Sequence, residues 1–210
     1  MKRILGLTVA ALLVIAMVGG GTWAYFSDTE SSTNNSLTAG TLDLTVNGVN
    51  TAVTTFSEAA VVPGDSGNGS TTLANAGSLA GELDITFSVI SNTPGAGGGE
   101  YEGGTGELGG VALMTAYLDI NQNATFDTGD IELNTTGANI YDAATNNSLD
   151  YATINSYGSV SYNEVIASMA SSAADDFIVL WQVPVGADNT IQGDSVSFDV
   201  TFVLEQAEAD

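Results

Sequence analysis

The chain has 210 residues, with 25 Asp and Glu against 2 Lys and Arg and with neither His nor Cys. Disulfides and the usual His or Cys zinc ligand sets are therefore excluded. Nucleic acid and anionic lipid are poor partners, because both are bound through Lys and Arg that displace counterions.

Both basic side chains, Lys2 and Arg3, stand at the head of an apolar run from Ile4 to Val18. A positive start, a short apolar stretch and the small-residue end Thr22-Trp23-Ala24 have the order of a secretory signal, residues 1–24, cut by signal peptidase between Ala24 and Tyr25. The run is shorter than the roughly 20 residues that a bilayer span needs. An uncleaved anchor extended through Gly19 to Trp23 is the alternative. A pilin-like leader cut after Gly6 would need an acidic residue early in the retained helix, and the first acid is Asp28. Cleavage leaves a chain that carries all 25 acidic side chains and no basic one. No side-chain salt bridge can then form within a subunit or between two copies, so apolar burial, backbone ladders and bound cations must supply the stability. The acidity also serves solubility.

Tyr25 to Thr38 is polar, with Tyr25, Phe26 and Leu37 as its large apolar residues. Beyond it the chain reads as one β-sandwich domain, residues 39–210, with long loops and one or two short helices. Leu42, Leu44 and Val46 alternate with polar residues, as do Leu83, Ile85, Phe87 and Val89, so each set predicts a strand with one face inward. Pro94 to Gly110 is rich in glycine but lacks the Lys and the GK[ST] signature of a phosphate loop. It reads as a surface excursion whose bulky residues, Tyr101 and Leu108, could touch neighbouring subunits. Val111 to Leu118 predicts another strand.

Asp119 to Asp130, DINQNATFDTGD, opens like a calcium loop. Side-chain oxygens fall at Asp119, Asn121 and Asn123, a backbone carbonyl at Thr125, and carboxylates at Asp127 and Asp130. Alternate residues of a tight loop aim their oxygens at one centre, and Ca²⁺ takes six to eight. Ala124 stands where the motif has Gly, Asp130 where it has Glu, and no helices flank the loop. Asp and Asn are also ordinary turn residues. Further on, Tyr162 to Ala170 is the best helix candidate, with Ser161 as cap and Val165, Ile166 and Met169 on one side. Phe177 to Val183 is an unbroken apolar run, which predicts a strand covered on both faces. Val196, Phe198, Val200, Phe202 and Leu204 alternate in a last strand. Sequons begin at Asn34, Asn68, Asn123, Asn134 and Asn146, and exported surface loops could carry glycans at Asn34, Asn68, Asn134 or Asn146.

Several blocks resemble the TasA/camelysin family of secreted fibre proteins, which includes archaeal bundling-pilus subunits. They are Val18 to Asp28 (VGGGTWAYFSD), Ala39 to Leu44 (AGTLDL), Pro63-Gly64-Asp65, Asn75 to Leu79 (NAGSL), and Gly193 to Val196 (GDSV) leading into the last strand. The resemblance implies a jelly-roll sandwich polymerising by donor-strand exchange. The freed segment Tyr25, Phe26, Ser27, Asp28, Thr29 and Glu30, continuing to Thr38, would enter a groove of the next copy, with Tyr25 and Phe26 as anchors. The partners are then other copies head to tail and neighbouring filaments in bundles, with no membrane association after cleavage. Uncleaved, the leader would hold the donor segment back. A monomeric calcium-binding adhesin or envelope module is the alternative. Camelysin has been classed as a metallopeptidase, but without His there is no H-E-x-x-H, and no nucleophile with a base is legible.

Overall fold

The computed structural model describes residues 2–19, 38–95, 106–141 and 148–206. They fall into two compact units, residues 1–38 and 39–210. In the first, Lys2–Gly19 forms a single helix, α1, on which Ile4, Leu7, Leu12 and Ile15 are all exposed. Among the described residues no helix is long and apolar enough to cross a membrane.

The second unit is an antiparallel β-sandwich. Its strands are β1 (Leu44–Val46), β2 (Ser66–Asn75), β3 (Gly81–Phe87), β4 (Ser91–Thr93), β5 (Leu113–Asp119), β6 (Ile131–Leu133), β7 (Asn139–Tyr141), β8 (Ala152–Thr153), β9 (Ser161–Met169), β10 (Ala174–Gln182), β11 (Ser195–Ser197) and β12 (Val200–Glu205). One sheet has seven strands, in the order β1-β2-β10-β5-β6-β7 with β8 also on β5. Facing it are the three-stranded sheet β12-β3-β9 and the pair β11-β4. The inward residues Leu83, Ile85 and Phe87 are fully buried, as the alternation predicts. Phe87 lies 6.3 Å from Phe177 of the opposite sheet, and Phe177 meets Phe202 edge-on at 5.1 Å.

β10 carries the apolar run. Phe177, Val179 and Trp181 enter the main core between the sheets, while Ile178 packs on the outer face with Tyr117 and Phe126. Both faces are covered, which is why the sequence there does not alternate.

Five expectations change. The last strand, read as one from Val196 to Leu204, is two: β11 pairs with β4 and β12 with β3, in separate sheets, and the strand breaks between them at Phe198 and Asp199. Val89 lies beyond the end of β3 and is 74% exposed, so the inward alternation stops at Phe87. Val111 belongs to a short helix, α2 (Leu108–Val111), and the strand begins at Leu113. Leu108 is buried in the core rather than offered to a neighbour, and Tyr101 lies outside the described residues. Tyr162 to Ala170 is not a helix but most of β9. Its pairing with β3 shifts register twice: Gly81, Leu83 and Ile85 face Met169, Ile166 and Tyr162. β9 therefore spends three and then four residues where β3 spends two. Bulges of this kind give a strand buried positions at helix-like spacing, here Tyr162, Val165 and Met169. Glu164 sits inside the irregularity with φ 51°.

Candidate functional site

Three of the blocks that carry the family resemblance are joints of the sandwich. Asn75, fully buried, donates from Nδ2 to the carbonyls of Leu79 (2.8 Å) and Met169 (3.0 Å), and accepts from the Gly77 amide at 3.0 Å. It thus ties the end of β2 to the end of β9 in the facing sheet. Ser78 and Leu79 donate their amides to the Thr41 carbonyl. A Cβ on Gly77 would collide with that same carbonyl oxygen, so a side chain there is excluded. Asp194 gathers both ends of the glycine-rich excursion: Oδ1 accepts from the Gly95 amide (3.0 Å), Oδ2 from the amides of Glu107 (2.6 Å) and Leu108 (3.2 Å). Instead of a phosphate, the protein's own carboxylate occupies this turn.

The second feature is an open flank. Among the described residues β12, like β9, is an edge strand of the smaller sheet and is bonded to β3 on one side only. Next to it lies a cavity of about 940 Å³ lined by Phe177, Val179 and Trp181 of β10, by Val200 to Phe202 of β12, and by the segment Thr51 to Val61. The indole Nε1 of Trp181 is buried without a hydrogen-bond partner.

The third feature is the loop after β5. The structure brings together Asp119, Asn121, Asn123, Asp127 and Asp130. Asp119 accepts from the amides of Asn123 (3.2 Å) and Ala124 (2.6 Å), and Asp130 from those of Ile120 (3.0 Å) and Asp127 (2.9 Å). The amide groups of Asn121 and Asn123 both donate to Asp127 at 2.7 Å. Thr125 enters through its amide, which donates to Asn123 Oδ1. Ala124 takes φ 60°, the left-handed turn for which the motif ordinarily has glycine. Asp119 and Asp130 are fully buried, and burial pushes the Asp130 carboxyl above its ordinary value against the pull of its two amide donors. Burial, with Asp119 and Asp130 nearby, also raises the Tyr117 phenol to about 12. The loop folds back so that Phe126 meets Tyr117 edge-on at 5.3 Å, closing the outer face of the large sheet.

A second oxygen-rich cluster was not legible in the sequence. Glu82, Asp84 and Glu205 each place a carboxylate oxygen within 4.8 Å of the others, and together they could hold a metal ion. Glu82 faces Glu205 directly across the β3–β12 ladder, and Asp84 is two residues along the same strand. Like charges opposed across a ladder are destabilising without a cation. The alternation showed Glu82 and Asp84 sharing a polar face, but pairing with Glu205 depends on which strand lies alongside.

Of the remaining expected sites, Asn68 is exposed on β2. Asn134 is half-buried, and its Oδ1 accepts from Thr136 N, Thr136 Oγ1 and Ala138 N. Ala24, Tyr25, Phe26, Ser27, Asp28, Thr29, Glu30, Asn34 and Asn146 lie outside the described residues.

An all-β sandwich with an apolar cavity beside the edge strand β12 and with carboxylate clusters defines a class of protein rather than a single activity. Residues 1–91 match the family model described as camelysin metallo-endopeptidase. Over that stretch, less than half of its length, the chain is similar to the TasA/camelysin family, whose proteins are extracellular or associated with the cell surface. No curated protein matches the chain. The family description implies a peptidase metal, commonly zinc, and the residues present do not fit one. The chain has no His or Cys, and both oxygen-rich clusters offer donors suited to a hard cation.

Proposed function

We propose that this protein is a structural subunit of an extracellular filament, a pilus or biofilm-matrix fibre, assembled by donor-strand complementation. Signal peptidase cuts between Ala24 and Tyr25, and the freed Tyr25–Thr38 segment of one copy lies along β12 of the next. The observation that supports this is the unpaired edge of β12 beside an apolar cavity. An exposed edge is a template for a foreign strand, and main-chain bonds supply affinity without charge pairing. That matters for copies that carry no basic side chain after cleavage. Tyr25 and Phe26 supply the apolar anchors, and the contact is head to tail, so it propagates into a filament instead of closing. Neighbouring filaments can then bundle, screened by salt or bridged by divalent cations.

The loop from Asp119 to Asp130 favours a calcium ion as the cation of the folded subunit. Its carboxylates and Asn side chains are linked to one another within one short segment, their oxygens now held by amide groups that an ion would displace, and nothing cationic lies in the mature chain to neutralise them. A monomeric calcium-binding adhesin shares that feature but would not need the open flank. Electron microscopy of secreted protein separates the two. Deleting Tyr25–Thr38 is expected to abolish filaments while leaving a folded, secreted subunit. Filaments from the deleted chain, or from a secreted chain whose cleavage at Ala24 is blocked, would refute the donor mechanism.

A further inference from the structure

We propose that Thr51–Val61 is a built-in placeholder, a strap that covers the β12 flank of the free subunit and must swing out before a second copy can dock. The inference rests on the donor-strand reading and adds its regulation.

All eleven residues of the strap line the cavity, alongside Val200, Thr201 and Phe202 of β12. Yet among the described residues no backbone hydrogen bond joins the strap to any strand. It is held by side chains: Phe56 packs against Phe198 with ring centroids 6.0 Å apart, and the Thr55 and Thr71 hydroxyls bond at 2.9 Å. It runs close over β2, where a Cβ on Gly69 would lie 2.7 Å from the Phe56 Cβ and 2.8 Å from the Thr55 carbonyl oxygen. Left-handed residues bound it on both sides, Asn47 and Gly48 (φ 50° and 74°) before it and Ala60 (φ 58°) at its end.

These observations fit a cover better than a strand. The strap shields apolar surface but leaves the outward N–H and C=O groups of β12 without a ladder. An incoming strand offers both burial and main-chain bonds, so exchange runs from a side-chain contact to a laddered one. Until then the strap keeps a reactive edge from unspecific pairing.

The absence of cysteine from the chain allows a clean test. In the full-length secreted protein, Thr55→Cys with Thr71→Cys should form a disulfide that pins the strap to β2. Filament yield would be measured by sedimentation and electron microscopy before and after reduction, with each single variant and the Tyr25–Thr38 deletion alongside. The oxidised double variant is expected to give at least tenfold fewer filaments than wild type, restored by reductant. Equal assembly when oxidised and reduced, with the deletion inactive, overturns the strap alone. Assembly of the deletion removes the donor mechanism and the strap with it. If the crosslinked chain fails to fold, Phe56→Ala decides. It should speed assembly severalfold, which a damaged fold would not do, and an unchanged or slower rate overturns the inference.

Discussion

The middle of the large sheet and the outer strand of the small one are held by different means. In the large sheet β10 is laddered to β2 over nine residue pairs and to β5 over seven, with both faces covered. In the small sheet, among the described residues, β12 is laddered only to β3, and the strap near it has no main-chain bond to any strand. Aromatic side chains pack on both strands, so apolar contact alone does not distinguish them. The backbone does: β10 has ladder partners on both sides and β12 on one.

The sharpest way to break this contrast is truncation on the central strand and in the strap. Phe177→Ala on β10 should cost about 3–5 kcal/mol, which lowers the melting temperature by roughly 10 °C or more for a domain of this size. Phe56→Ala, in a half-buried strap, should cost about 1 kcal/mol or less. Calorimetry or urea unfolding that finds the two equal would mean the strap is as integral as the central strand.

The cation comes next. Sites of the extracellular kind bind calcium at roughly 0.1–1 mM, so about 10 mM calcium should stabilise the fold by about 1.4–2.7 kcal/mol over chelator-treated protein. Asp119→Asn should remove that difference, and Glu205→Gln should leave it intact. The reverse pattern would move the ion to the carboxylates across the β3–β12 ladder, on the open flank.

The smallest effect concerns Asp175, buried at the start of β10. Burial first, then the neighbouring Asp176 and Asp119, push its carboxyl up to about 6. The folded state thus binds this proton more tightly than the unfolded chain does. Its contribution is favourable below pH 4 and is lost as pH rises towards 6. Burial shifts Glu132 and Asp130 in the same direction. The melting temperature should therefore fall between pH 4.5 and 7, measured without calcium. Asp175→Asn should recover about 1–2 kcal/mol at pH 7 and nothing near pH 4. A curve that rises with pH would show that other carboxylates dominate.

Much of this was legible from local pattern. Strict alternation marked β3 and β12, because a half-buried strand has a period of two whatever it pairs with; it could not show that Val196 belongs to a separate strand paired elsewhere. The unbroken run of β10 announced two covered faces. Spacing of Asp and Asn placed the loop after β5, and the turn at Ala124 closed as the motif requires even without glycine. β9 was misread for a physical reason: its bulges against β3 reproduce helical spacing, and a bulge is a property of the pair. Leu108 looked like part of a polar excursion because Asp194, 86 residues further on, is what ties that excursion down.

Composition and periodicity alone established an acidic, cysteine-free sandwich that must hold itself together without ion pairs, since those properties are additive along the chain. Which edge stays unpaired, which carboxylates meet across a ladder and which segment lies over the cavity were decided only by tertiary structure. Each depends on what lies alongside a residue in space, and long-range antiparallel pairing carries almost no trace in local sequence.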